Sequence, residues 1–236
     1  MVESWKYYLS RYDYPVQLWK FELAKQYPQH FDMKIKGDHE STVAFENYFR
    51  ENMKNSIEVY YEVIFWKYFS QPQFRQVGAG RIVEYIEERG VDAKSMHQAI
   101  QDFTKAPSIR NLKNIRRLLG ISTRVLAVPL TLVSFYDPIS FPMIDNVVAK
   151  WVNRNFDEYS QNKTSPLTPF DKKYTSLQDN DFDHYINWKN WCCEMAKVLN
   201  EKTNYLWRAR DVEMAIFTYE RLRKRDPRDT LPLNPL

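Results

Sequence analysis

The stretch Ser108-Ile109-Arg110-Asn111-Leu112-Lys113-Asn114-Ile115-Arg116-Arg117-Leu118-Leu119-Gly120-Ile121-Ser122-Thr123-Arg124 decides how this chain is read. Ser108 is a helix-capping residue type, and behind it Ile109, Leu112, Ile115 and Leu118-Leu119 recur at helical spacing, which marks one apolar side. The cations fall on the other side, and Gly120 stops the helix. An uncharged apolar run follows almost at once, and its pattern predicts a second helix from about Ser122 to Phe135. Two helices joined by so short a turn fold back as a hairpin.

Charge is distributed unevenly around this stretch. Between Asp102 and Asp137 there is no acidic residue, yet Lys105, Arg110, Lys113, Arg116, Arg117 and Arg124 all lie there. That local excess is larger than the net +4 of the whole chain, so the remainder is on balance slightly acidic. A merely solvated helix face, the alternative reading, usually interleaves acids for pairing one turn away. Their absence points to a surface that meets a polyanion.

Composition extends the helical reading to the rest of the chain. Only 5 glycines and 12 prolines punctuate 236 residues, while helix formers recur throughout, so the predicted class is all-α. A hydrophobic share of 44% excludes a disordered chain, and the length admits one large domain or two lobes. Cys192 and Cys193 are adjacent, which suits neither a disulfide framework nor a metal site and fits a reducing compartment. The opening Met1-Val2-Glu3-Ser4-Trp5-Lys6 lacks the layout of a signal peptide. Val125 to Tyr136 is too short to cross a bilayer and contains Pro129. The expectation is an intracellular protein without membrane attachment.

Working outward, Phe45, Phe49, Met53, Ile57, Tyr61, Ile64 and Tyr68 recur every three or four residues and predict one long core helix ending before Gln71-Pro72. Helices are predicted from Phe74 to Arg89, stopped by Gly90, and from about Ala93 to Thr104. Residues 1 to 37 read as short helical pieces around Pro15 and Pro28. After the hairpin, Tyr136 to Ile144 reads as extended because of Pro138 and Pro142, and Asp145 opens a helix to about Phe156. Residues 157 to 181 read as a polar surface loop, followed by helices at about Phe182 to Asn200 and Trp207 to Lys224 and a proline-rich tail.

Other candidate residues carry less. Asp181, Asp183 and His184 read as the cap of the helix that follows, and His30, His39 and His97 have no visible partners. Gly78-Ala79-Gly80 opens like a dinucleotide fingerprint, but Val83 stands at the third glycine position and no strand precedes it. Trp66 and the Trp191-Cys192-Cys193 group read as core.

A basic helix, a glycine turn, an apolar helix, a proline-bearing segment and an aspartate opening a new helix occur in that order within Ser108 to Trp151. This resembles the helix-hairpin-helix DNA glycosylase superfamily, on Leu118-Leu119-Gly120-Ile121-Ser122 for the hairpin and Phe141-Pro142-Met143-Ile144-Asp145 for the catalytic loop. Looser similarity to the 8-oxoguanine-glycosylase-like branch extends to Trp66-Lys67 and to Trp207-Arg208-Ala209-Arg210-Asp211-Val212-Glu213. The resemblance implies two helical lobes, residues 41–136 and residues 1–40 plus 137–236, with double-stranded DNA in the groove between them. It implies Asp145 as the catalytic carboxylate, and Gly120, Ser122, Thr123, Arg124, Lys113, Arg116 and Arg117 as DNA-binding residues.

The chemistry behind that pattern is simple. Helix N-terminal N–H groups receive a phosphate without any side chain, and glycine permits close approach. Breaking an N-glycosidic bond builds positive charge on the sugar, which a fixed carboxylate stabilises while it directs water. The base must first leave the stack.

The departures narrow the activity. Leu119 stands where the family often has proline, and Ser122 where it has its second glycine. Arg124 replaces the lysine of lyase-competent members, and guanidinium is a poor nucleophile, so a monofunctional glycosylase is expected unless Lys67 or Lys150 serves instead. With two adjacent cysteines the chain carries no iron–sulfur cluster, and no metal or other cofactor is expected. A catalytically silent DNA-binding protein on the same scaffold and a helical protein that meets an acidic partner are the alternatives; a monomer is the simplest state.

Overall fold

The computed structural model describes residues 2–14, 37–69, 73–160, 166–171, 177–225 and 233. The helical pieces expected around Pro15 and Pro28, and nearly all of the C-terminal tail, lie outside those residues. Among the described residues the chain is all-α: ten α-helices, a 3-10 turn at Asp179–Asp181, and one isolated antiparallel bridge between Val125 and Gln178. The helices are α1 (Val2–Ser10), α2 (His39–Asn52), α3 (Glu58–Phe69), α4 (Gln73–Arg89), α5 (Ala93–Lys105), α6 (Ile109–Leu118), α7 (Ala127–Tyr136), α8 (Asn146–Ser160), α9 (Phe182–Lys202) and α10 (Ala209–Arg225). None is long and apolar enough to cross a membrane.

The chain divides into two compact units. One, the middle unit, holds Tyr14–Arg124 and Thr131–Tyr136; the other, the terminal unit, holds Met1–Asp13, Val125–Leu130 and Asp137–Leu236.

In the middle unit, short polar side chains set where helices begin. Asp38 accepts from Ser41 N at 2.8 Å, Asp92 from Ser95 N at 2.7 Å and Ser108 from Asn111 N at 3.2 Å, each satisfying a first-turn donor that has no partner within the helix. The core is α3, apolar nearly all round, with Val59, Tyr60, Val63, Ile64, Phe65 and Trp66 buried. Phe135 of α7 meets Phe45 and Trp66 edge-on at 5.1 Å each and Phe49 at 6.0 Å.

The single long core helix expected over Phe45 to Tyr68 is instead two helices. Asn52 C=O accepts from both Asn55 N and Ser56 N at 3.0 Å, and Ser56 Oγ donates to the Glu58 carboxylate at 2.7 Å. Asn52 Nδ2 also donates to Tyr48 O at 2.8 Å, a side-chain bond to the backbone that competes with the helical ladder, and the helix stops and restarts although the apolar rhythm continues.

The terminal unit packs α1, α8, α9 and α10. Trp151, Trp188 and Trp191 form a ring cluster with Tyr159, with Trp188 and Trp191 stacked at 5.6 Å. The expected loop over 157–181 is shorter and less exposed: α8 runs to Ser160, and Leu167, Phe170 and Leu177 are buried. Asp181 stands at the N-cap of α9, but its side chain makes no cap hydrogen bond there. Its buried carboxylate accepts from Asp171 N and Gln178 N, both at 2.9 Å, and so holds the described parts of that region together.

His97 in α5 has its Nδ1 sealed from solvent with no hydrogen-bond partner among the described residues. Burial first, then the Lys54 and Lys105 ammonium groups, hold its pKa below the ordinary 6.5. The unfolded chain takes up a proton that the native state refuses, so this contribution to stability is full above 6.5 and shrinks as pH falls below it. Urea unfolding followed from about pH 7 to about pH 5 is expected to show a falling midpoint, with His97→Gln flattening that slope; an equally steep curve for the variant would contradict the assignment. In the same assay Phe135→Ala is expected to lose about 3–5 kcal/mol through the cavity it leaves, and a loss under about 1 kcal/mol would show that this ring is not central.

Candidate functional site

Asp145 belongs to the terminal unit, and the chain leading to it is held by two helices. Ala209 N and Arg210 N, at the start of α10, donate to Ile139 O and Pro138 O at 3.0 Å. Tyr185 Oη of α9 donates to Pro142 O at 3.2 Å, and Trp188 Nε1, one turn later, donates to Met143 O at 3.1 Å. Burial pushes the Tyr185 hydroxyl pKa far up, so it remains a donor. Phe141, Met143 and Ile144 are buried. After one turn, in which Phe141 N donates to Asp137 O at 2.9 Å, the prolines keep this segment out of a helix, and the two neighbouring helices supply donors to the carbonyls of Pro138, Ile139, Pro142 and Met143.

At the end of this segment Asp145 caps α8. Its carbonyl accepts from Ala149 N at 2.9 Å, and its Oδ1 accepts from Val147 N at 2.8 Å and Val148 N at 3.0 Å. Oδ2 accepts no hydrogen bond among the described residues, and the side chain is half-buried. The result is a carboxylate anchored through one oxygen to the first turn of α8. The nearby start of α10 is braced by ion pairs: Arg208 with Asp211 at 2.6 Å, and the fully buried Arg210 with Glu213, Arg210 also donating to Tyr12 Oη at 3.3 Å. These two arginines are structural.

The middle unit carries the basic run. Arg110, Lys113 and Arg117 are exposed and share one side of α6, and Lys105 and Arg124 are exposed beyond its two ends. Arg116 is different. Its residue is 4% exposed, which removes it from the expected set of direct DNA contacts, and Nη1 reaches Thr123 O at 3.5 Å. Gly120 takes the left-handed conformation at φ +64. Ile121 N donates to Arg116 O at 2.9 Å and Gly120 N to Arg117 O at 3.3 Å, the paired bonds that close a helix on a left-handed glycine. A Cβ on Gly120 would lie 2.3 Å from Tyr85 Cγ, so the turn also packs where only glycine fits.

The expected second half of the hairpin is not built as a helix entry. α7 begins at Ala127, and residues 121–126 are non-helical. Pro129 accounts for this. In a helix from Ser122 it would sit in the interior and break the bond to Val125, whereas in a helix from Ala127 it falls in the first turn, where no N–H is needed. Within the terminal unit, Val125 pairs with Gln178 and Leu126 N donates to Leu177 O at 3.1 Å. Ser122 and Thr123 are exposed, but their N–H groups do not form a helix N-terminus.

The two alternative lysines sit in different units. Lys150 is exposed on α8. Lys67 is buried on α3, its Nζ 5.9 Å from the Tyr14 ring centroid, while Tyr14 Oη donates to Lys67 O at 3.1 Å and Tyr14 stacks on Trp66 at 4.1 Å. Among the described residues no group of three or more His, Cys, Asp or Glu is placed to hold a metal ion. Tyr185, Trp188 and Tyr85 were not singled out from the sequence. The available signal was the spacing of Tyr185 and Trp188 one turn apart, opposite a proline-bearing segment whose carbonyls needed donors.

Comparison with protein-family models, with curated proteins and with solved structures returns no match. Gly120→Ala forces a left-handed alanine against Tyr85 and is expected to destabilise the chain by about 2–4 kcal/mol in urea unfolding. A neutral substitution would mean that the turn relaxes freely.

Proposed function

We propose that this chain is a DNA base-excision glycosylase, a variant of the helix-hairpin-helix superfamily that hydrolyses the N-glycosidic bond of a damaged or mispaired base. The observation that carries the reading is the Asp145 carboxylate, fixed through Oδ1 at the start of α8 with no hydrogen bond to Oδ2 among the described residues. A carboxylate so oriented stabilises the positive charge that develops on the sugar as the base departs, and it accepts the proton of the water that adds to the anomeric carbon. The exposed cations Arg110, Lys113, Arg117 and Arg124 supply sequence-independent attraction for the phosphate backbone. Arg124 forms no Schiff base, which favours a monofunctional activity unless Lys67 or Lys150 serves instead.

A second reading has its own support. The non-helical segment 121–126 lacks the N–H array that would dock a phosphate in the family's hairpin, which favours a DNA-binding protein that does not release bases.

Asp145→Asn separates the two cleanly, because asparagine caps a helix about as well as aspartate and the fold is expected to persist. With duplexes bearing 8-oxoguanine, uracil, hypoxanthine or an alkylated purine, the natural chain is expected to release one of these bases, and the variant to do so at least about 100-fold more slowly at equal duplex affinity. Release at the same rate by the variant would remove Asp145 from the chemistry. Salt-dependent binding with no release by either protein would leave the second reading.

A further inference from the structure

We propose that Arg116 is a positioning residue for polyanion binding, holding the Thr123–Arg124 peptide so that Arg124 joins the cations of α6; this rests on the DNA-binding part of the reading above. Of the six cations between Asp102 and Asp137, Arg116 is the one whose side chain is buried. A buried guanidinium requires acceptors, and Thr123 O at 3.5 Å is among its contacts. The same residue's carbonyl accepts from Ile121 N at 2.9 Å. Arg116 therefore grips the first and the third residues after Gly120, through its backbone and its side chain respectively.

The segment it grips belongs to neither α6 nor α7, and Ser122, Thr123 and Arg124 are all exposed. Its far end is tied by the Val125–Gln178 bridge and the Leu126 N–Leu177 O bond, and ordering the residues between those ties and Gly120 on a phosphate would offset part of the Coulomb gain. The left-handed Gly120, closed against Tyr85, sets where the chain reverses. The grip of Arg116 sets where it goes next. Being buried, Arg116 contributes to phosphate binding through Arg124 and not by direct contact.

The test is a double-mutant cycle on the full chain with Arg116→Met, Arg124→Ala and the pair, using a fluorescein-labelled DNA duplex without a lesion at several salt concentrations. Each single variant is expected to weaken binding about three- to tenfold and to lower the salt slope by about one, and the pair is expected to lose no more than either alone. Losses that multiply, or an Arg116→Met protein with unchanged affinity and slope, would overturn the proposal while leaving the DNA-binding reading intact. A natural chain without salt-dependent duplex affinity would end both. If Arg116→Met shows no cooperative thermal transition, Arg116→Lys takes its place: it keeps the cation with a shorter, unforked reach and is expected to lose the Arg124 contribution. Full affinity in that variant would equally overturn the proposal.

Discussion

A peptide that cannot be helical must still satisfy its carbonyls, and in the terminal unit that requirement positions everything near Asp145. Pro138 and Pro142 keep the chain before α8 out of a helix, and the start of α10 and the first two turns of α9 then provide the missing donors through Ala209 N, Arg210 N, Tyr185 Oη and Trp188 Nε1. The four donor residues are themselves buried. The carboxylate at the end of the segment inherits that rigidity, and the first turn of α8 takes one of its oxygens. A charged group held in this way needs no reorganisation when a positive charge appears beside it, which is the condition under which electrostatic catalysis is effective.

The middle unit solves a different problem with the same economy of parts. Its acid-free basic run lies at Lys105, on α6 and on the segment after it. The left-handed Gly120 and the buried Arg116 keep the two pieces in register, so that a run of sequence becomes a surface. The middle unit's core helix, α3, buries Val59, Tyr60, Val63, Ile64, Phe65 and Trp66, whereas α6 exposes Arg110, Lys113 and Arg117.

Much of the helical plan was legible in the sequence because its punctuation is local. Asp92, Ser108, Gly90 and Gly120 act through their own backbone and first-turn neighbours, and the helices stop and start beside them. Asp145 opening a helix was legible for the same reason. Two misreadings came from giving apolar rhythm precedence over chemistry: Asn52, Asn55 and Ser56 break the run from Phe45 to Tyr68, and Pro129 delays α7 to Ala127. The burial of Arg116 between the exposed Lys113 and Arg117 was not legible, since it depends on where Thr123 returns after the turn. Nor was the role of Asp181, whose partners Asp171 and Gln178 are brought to it by tertiary packing.

The central claim is that the carboxylate of Asp145 faces a sugar as it becomes positive. Its most direct test compares affinity for two otherwise undamaged duplexes that differ at one abasic position, a cationic pyrrolidine in one and a neutral tetrahydrofuran in the other. The account expects the cationic duplex to bind at least about tenfold more tightly, with the preference gone when residue 145 is neutral. Equal affinity for the two duplexes in the natural chain would contradict it.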